Sequence, residues 1–320
     1  MNQDHVVLNR TNQKMPLIGY GCWKVDKDQC ADTIYNAIKV GYRLIDSAAV
    51  YANEVEVGQG IERAIKEGIV KREDLFVVTK LWNTCHHKDN VRPALQKSLK
   101  DLNLSYIDLY LIHFPIPLAY ADIQKHALDW FEPGTQNMKI ERSPLQETWR
   151  EMERAVDDKL VRNIGVSNCN VQTILDMLTY AKYKPATLQI EHHPYLQQNR
   201  LIKWVKSQGI HITAYSSFGP ISYLEMSEQA KNTKPLLDHD VIKSIASKHG
   251  KTTGQVLLRW AVQRDVAVIP KSMNMDRMKS NLDVFSWSLD DDDLAKIADM
   301  DIGLRFNDTV AYGLPIPLFD

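Results

Sequence analysis

The sequence lacks most of what would tie a chain to a membrane, a nucleic acid or an oxidising compartment. Its net charge is −1, so no overall field draws it to nucleic acid or to an anionic lipid surface. No apolar stretch approaches the ~18 residues that a membrane span needs. The four cysteines, Cys22, Cys30, Cys85 and Cys169, show no paired spacing, which argues against a disulfide framework. The opening residues, Met1 to His5, lack a basic-then-apolar signal pattern. A reducing cytoplasm is the expected setting.

Two kinds of site motif are also missing. A dinucleotide turn of the form Gly-x-Gly-x-x-Gly would mark an open doubly wound sheet. The nearest string, Gly19 to Lys24, lacks the third glycine, and Gly58-Gln59-Gly60 lies inside a helical pattern. No convincing metal set is present either. Neighbours in Cys85-His86-His87 and in Glu191-His192-His193 would point to opposite faces of a strand. The first strand does not end in His-x-His, and the acidic run Asp290 to Asp293 reads as a helix start. No metal is expected.

What is present is a chain of 320 residues, 44% apolar and 25% charged, with no linker or low-complexity run. One domain over 1–320 is expected. After a hairpin at Val6 to Met15, strand and helix patterns alternate. Strands are expected at 17–19, 42–46, 75–79, 107–112, 162–166, 187–190, 211–214 and 266–269. Helices between them include 28–40, 54–67, 91–102 and 145–159, with Gly41 and Gly68 ending two of them. Such alternation implies parallel pairing, and eight repeats fit a (β/α)8 barrel with an N-terminal hairpin. The long stretches 115–143 and 216–235 follow strands and read as binding loops at the C-terminal face.

Chemistry-bearing side chains cluster at the carboxyl ends of those strands. Asp46 closes one run, Lys80 another and His113 a third, while Tyr51 lies in the loop after Asp46. In a parallel barrel this is the face where reactions occur. A phenol is a weak acid, with a pKa near ~10. A lysine beside it is expected to lower that value, with Asp46 holding the lysine charged. The set suits protonation of a carbonyl oxygen while a cofactor delivers hydride.

These segments resemble the aldo-keto reductase family along nearly the whole chain. The catalytic segments of that family are matched by Asp46 to Glu54, Thr79-Lys80-Leu81-Trp82 and Leu111-Ile112-His113-Phe114-Pro115. Its cofactor segments are matched by Gly165-Val166-Ser167-Asn168 and Ile269-Pro270-Lys271-Ser272. Within the family the likeness is to fungal xylose reductases, through Glu191 to Gln198, Tyr215 to Pro220 and Leu304 to Asp308. The resemblance implies Tyr51 as general acid, tuned by Lys80 and Asp46, with His113 orienting the carbonyl. It implies Ser167, Asn168 and Gln189 on a nicotinamide carboxamide, Tyr215 stacked on the ring and Ser216 beside it. Lys271, Ser272, Arg277 and Asn281 would hold the adenosine end, and Glu225 its ribose. Trp23, Trp82, Phe114, Phe218 and Asn307 would line the substrate pocket, Asn307 carried in by the tail 309–320.

Two departures bear on specificity. Val50 stands where fungal xylose reductases usually have an aspartate, and Met273 where the yeast enzymes commonly have asparagine. The expected activity is NAD(P)H-dependent reduction of an aldehyde, an aldose such as D-xylose first. NADPH is preferred over NADH because Lys271 and Arg277 suit a 2′-phosphate. Other aldehydes, ketones, lactones or sugar phosphates stay open as substrates, as does a cofactor-binding subunit without turnover. The only expected partner is the small-molecule substrate, and the chain is a monomer or a homodimer.

Overall fold

The computed structural model describes residues 4–310 and 313–319. A short antiparallel hairpin, β1 (His5–Val7) and β2 (Lys14–Pro16), precedes eight parallel strands. These are β3 (Gly19–Gly21), β4 (Leu44–Asp46), β5 (Phe76–Leu81), β6 (Ile107–Ile112), β7 (Val161–Ser167), β8 (Thr187–Glu191), β9 (His211–Tyr215) and β10 (Val266–Val268). Each pairs in parallel with the next in sequence. The ring closes where Ile18 bridges Val268 and the Val268 N–H donates to the Leu17 carbonyl at 2.9 Å. Strands β5 and β6 are buried at every position, as strands covered on both faces must be.

The helices are α1 (Lys27–Val40), α2 (Glu54–Lys66), α3 (Lys88–Asp101), α4 (Leu145–Asp157), α5 (Val171–Tyr180) and α6 (Asn199–Ser207). They continue with α7 (Glu228–Asn232), α8 (Asp240–His249), α9 (Thr253–Val262), α10 (Met275–Leu282) and α11 (Asp291–Ala298). Asp290 caps α11, accepting from the Asp293 N–H, so the acidic run is a helix start. Among the described residues no helix is long and apolar enough to cross a membrane, and all four cysteines are free and buried. Stretch 115–143 holds no helix, whereas α7 interrupts 216–235. The expected signal-free opening and the tail include residues 1–3, 311, 312 and 320, which lie outside the described residues.

The first barrel strand begins two residues later than expected. Leu17 and Ile18 serve the closing contact with Val268, and the ladder to β4 starts at Gly19. A Cβ on Gly21 would lie 2.5 Å from the Ile269 carbonyl oxygen. This glycine therefore serves barrel closure rather than a phosphate turn.

The second glycine pair, Gly58 and Gly60 in α2, is explained by helix packing. A Cβ on Gly58 would lie 2.5 Å from the Leu102 carbonyl oxygen, and one on Gly60 2.6 Å from that of Ala31. Alanine is the better helix former by about 1 kcal/mol. Overpacking against backbone costs about 1–3 kcal/mol and outweighs it here. Gly58→Ala should therefore lower the urea midpoint of unfolding. A raised midpoint would show that α2 and α3 move apart at no cost.

Candidate active site

The carboxyl end of the barrel opens into a cavity of about 890 Å³. Four loops leave their strands through left-handed backbone at non-glycine residues, namely Lys24 (φ 57), Ala52 (φ 58), Asn168 (φ 59) and Ser216 (φ 55). Each costs roughly 1–2 kcal/mol. Such strain persists only where surrounding contacts hold it, as they do at this mouth.

At the cavity floor lies a fully buried ammonium. Lys80 Nζ donates to Asp46 Oδ1 at 2.5 Å, to the Ser47 carbonyl at 2.7 Å and to the Tyr51 hydroxyl oxygen at 3.3 Å. An ammonium has three protons, and each meets an acceptor. The Tyr51 oxygen thus accepts from Lys80, which leaves its own proton free to point elsewhere. The other Asp46 oxygen accepts from Gln189 Nε2 at 2.7 Å.

The electrostatics differ from the expected picture in one respect. Lys80 was expected to lower the Tyr51 pKa, and its charge does act in that direction. Burial outweighs it, so the phenol is pushed up to about 12. Burial also works against the Lys80 charge, yet Asp46 and Tyr51 overcome it and hold the ammonium above the ordinary lysine value. His113 is held well below the usual imidazole range by burial, with the charge of Lys80 adding to it. At neutral pH the floor therefore carries a charged lysine, a protonated tyrosine and a neutral imidazole.

Beside this floor, the residues expected at a nicotinamide are already hydrogen-bonded to one another. Ser167 Oγ donates to the Gln189 carbonyl at 2.9 Å, and Asn168 Nδ2 to the His113 carbonyl at 2.8 Å. The Tyr215 hydroxyl donates to Asn168 Oδ1 at 2.6 Å, while Ser216 Oγ lies 2.7 Å from the Tyr223 hydroxyl.

At the far end, Lys271, Ser272, Arg277 and Asn281 line the cavity together with Met273 and the start of α9, Thr252 to Gly254. Among the described residues neither Lys271 nor Arg277 is in an ion pair. Arg277 Nε reaches Ser272 Oγ at 3.3 Å. Two cations without a carboxylate, at the end of a long cavity, fit a phosphate group. Glu225 is not free in this way, since its carboxylate lies 3.4 Å from Lys24 Nζ across the cleft.

The opposite wall is aromatic. Trp23, Trp82 and Phe114 line the cavity there, with Val50 beside Tyr51, whereas Phe218 lines it at the far end, next to Gly254 and Asn281. Trp82 stands edge-on to His113 at 5.3 Å and to Trp130 at 4.9 Å, and its indole N–H donates to the Asp129 carbonyl at 2.9 Å. Ile316 and Leu318 pack against this cluster from the tail. Asn307 also lines the cavity, and its Nδ2 donates to the Tyr215 hydroxyl at 2.8 Å.

Every residue expected in the site therefore borders the cavity except Lys80, which lies behind it. Sequence reasoning missed Trp130, Lys24 and Thr252 to Gly254. Trp130 sits in an irregular loop with no periodicity to place it. The Thr252–Gln255 capping box marks a helix start but says nothing of a cavity. The expected divergence of Glu191-His192-His193 holds for neighbours, but Glu191 and His193 meet at 2.9 Å. Lys248 reaches both Asp290 and Asp293, at 2.5 and 2.9 Å, so the two carboxylates near His249 already share an ammonium.

Comparison with known proteins agrees with the geometry. A 4-dihydromethyl-trisporate dehydrogenase of Mucor mucedo is 56% identical, with all of both chains covered. A probable NAD(P)H-dependent D-xylose reductase of Aspergillus terreus is 54% identical over 95% of this chain and 96% of its own. Another from Emericella nidulans is 54% identical over the whole of both chains. The model of the aldo/keto reductase family matches residues 17–302, and the chain belongs to that family.

Proposed function

We propose that this protein reduces an aldehyde to an alcohol with a nicotinamide cofactor, using Tyr51 as the proton donor. The observation that carries the proposal is the buried Asp46–Lys80–Tyr51 chain, at the floor of a cavity whose far end holds two unpaired cations. The bound cofactor supplies the hydride that no side chain can donate. Ser167, Asn168 and Gln189 would hold its carboxamide, Tyr215 its ring, and Lys271, Ser272, Arg277 and Asn281 its adenosine end.

The protein's own part follows from the charges. Tyr51 keeps its proton at neutral pH and gives it to the carbonyl oxygen. Lys80, fixed by Asp46, stabilises the phenolate that remains. His113 is neutral, so it acts as a hydrogen-bond donor that orients the carbonyl rather than as a proton source. The aromatic wall excludes water from the reacting carbon.

The D-xylose reductases among the relatives support an aldose as substrate. Val50 supports a second reading, in which the carbonyl sits on a more apolar carbon frame. Beside Tyr51 it offers no hydrogen bond to a sugar hydroxyl, and it joins a cluster with Trp82, Phe114 and Trp130. A missing polar contact costs about 1–3 kcal/mol of discrimination. The Mucor relative is named for a substrate other than xylose, which is consistent with that reading. A reducing cytoplasm is the compartment proposed, in keeping with four free cysteines.

Two variants test the scheme. Tyr51→Phe should leave NADPH binding nearly intact and lower turnover by about 10²-fold or more. Retention of most of the wild-type rate would remove Tyr51 from the mechanism. Lys271→Met should weaken NADPH at least roughly tenfold more than NADH, since only NADPH carries the extra phosphate. Equal losses for both cofactors, measured as dissociation constants, would show that this lysine does not read the phosphate.

A further inference from the structure

One buried carboxylate accepts two consecutive backbone N–H groups where the tail enters the active-site cavity. Glu191, the last residue of β8, is fully buried. Its Oε1 accepts the Phe306 backbone N–H at 2.9 Å and faces His193 Nε2 at 2.9 Å. Its Oε2 accepts the Asn307 backbone N–H at 2.8 Å. Gln198 Nε2 donates to the Glu191 carbonyl at 2.6 Å, and Arg305 donates to Gln198 Oε1 at 3.2 Å. The segment also hangs on the Tyr195 carbonyl, which accepts from Leu304 at 2.9 Å.

From Asn307 the contacts run on into the site. Asn307 Nδ2 donates to the Tyr215 hydroxyl, Tyr215 donates to Asn168 Oδ1, and Asn168 Nδ2 donates to the His113 carbonyl. The phenol has one proton, and with Asn307 donating to its oxygen that proton is committed to Asn168. Asn307 thus donates both ways, through its backbone to Glu191 and through its amide along a run of donors that ends at the His113 carbonyl. Two consecutive backbone N–H groups of an irregular, half-buried segment need acceptors. A carboxylate supplies two oxygens and no competing donor. Glutamine at the same position would turn an NH2 group towards one of those N–H groups.

We propose that Glu191 is a positioning residue for this active site, clamping the tail so that Asn307 locks Tyr215 and the loop after β7 in one arrangement. This extends the proposed function, because it takes Tyr215 and Asn307 to face cofactor and substrate. It makes substrate selection depend on a residue that touches neither. The alternative is that Glu191 only stabilises the fold.

The test compares wild type, Glu191→Gln, Asn307→Ala and the double variant, each saturated with NADPH. Hydrogen exchange of residues 304–308 should rise roughly tenfold or more in Glu191→Gln, without a similar rise in the barrel strands. The KM for a chosen aldehyde should rise several-fold with a smaller change in kcat. The double variant should be little worse than the more impaired single variant, since both act through one chain. Glu191→Asp keeps the charge and both acceptors, and should recover part of the KM; it also serves if Glu191→Gln does not fold. Unchanged exchange at 304–308, or fully additive kinetic effects, would overturn the proposal. The exchange result needs no turnover, so it judges the clamp even if the wild type reduces none of the aldehydes tried.

Discussion

A lysine ammonium without access to water sits under the mouth of this barrel, and the neighbouring side chains are arranged around its charge. Removing an ammonium from water costs several kcal/mol, which only close partners offset. Lys80 has three: the Asp46 carboxylate, the Ser47 carbonyl and the Tyr51 oxygen. Asp46 in turn is held by Gln189, so β4, β5 and β8 are tied together at their carboxyl ends. Those ends are where a parallel barrel places its chemistry. Lys80 beside Tyr51 and Gln189 beside Ser167 thus share one aspartate.

The balance at Tyr51 shows why geometry has to be known before a pKa is argued. Proximity to a lysine suggests a phenol lowered below its ordinary value. The site is deep enough that burial wins instead, and the resting tyrosine is firmly protonated. That state is the one the proposed role of Tyr51 as acid requires. In the proposed mechanism the lysine matters most after the proton has left, when the phenolate would otherwise be an unpaired buried charge.

Much of this was legible in the sequence, for a physical reason. Parallel strands covered on both faces are short apolar runs, and the polar residue that ends each run is conspicuous, as with Asp46, Lys80 and His113. The element order and the hairpin followed from the same alternation. Strand limits did not follow, because Leu17 and Ile18 look like strand yet serve ring closure, and Gly19 and Gly21 look like turn yet pair in the ladder. Loop contributions were the least legible. Trp130 reaches the site through the irregular path of 115–143, and its partner Trp82 fixes it by an aromatic contact that no spacing encodes. Glu191 stood out in the family likeness and in a metal-like string, and neither pointed to the hydrogen bonds it accepts from a tail more than a hundred residues away.

The activity proposed for this cavity is reduction of carbonyls at the expense of a nicotinamide cofactor, in a pocket made more apolar by Val50. The most direct test is steady-state oxidation of NADPH by the wild-type protein across aldehydes graded from D-xylose to apolar aromatic and aliphatic examples. Turnover is expected throughout, with kcat/KM higher for the apolar aldehydes than for xylose. Absence of NADPH oxidation with every aldehyde, from protein shown to bind the cofactor, would contradict it.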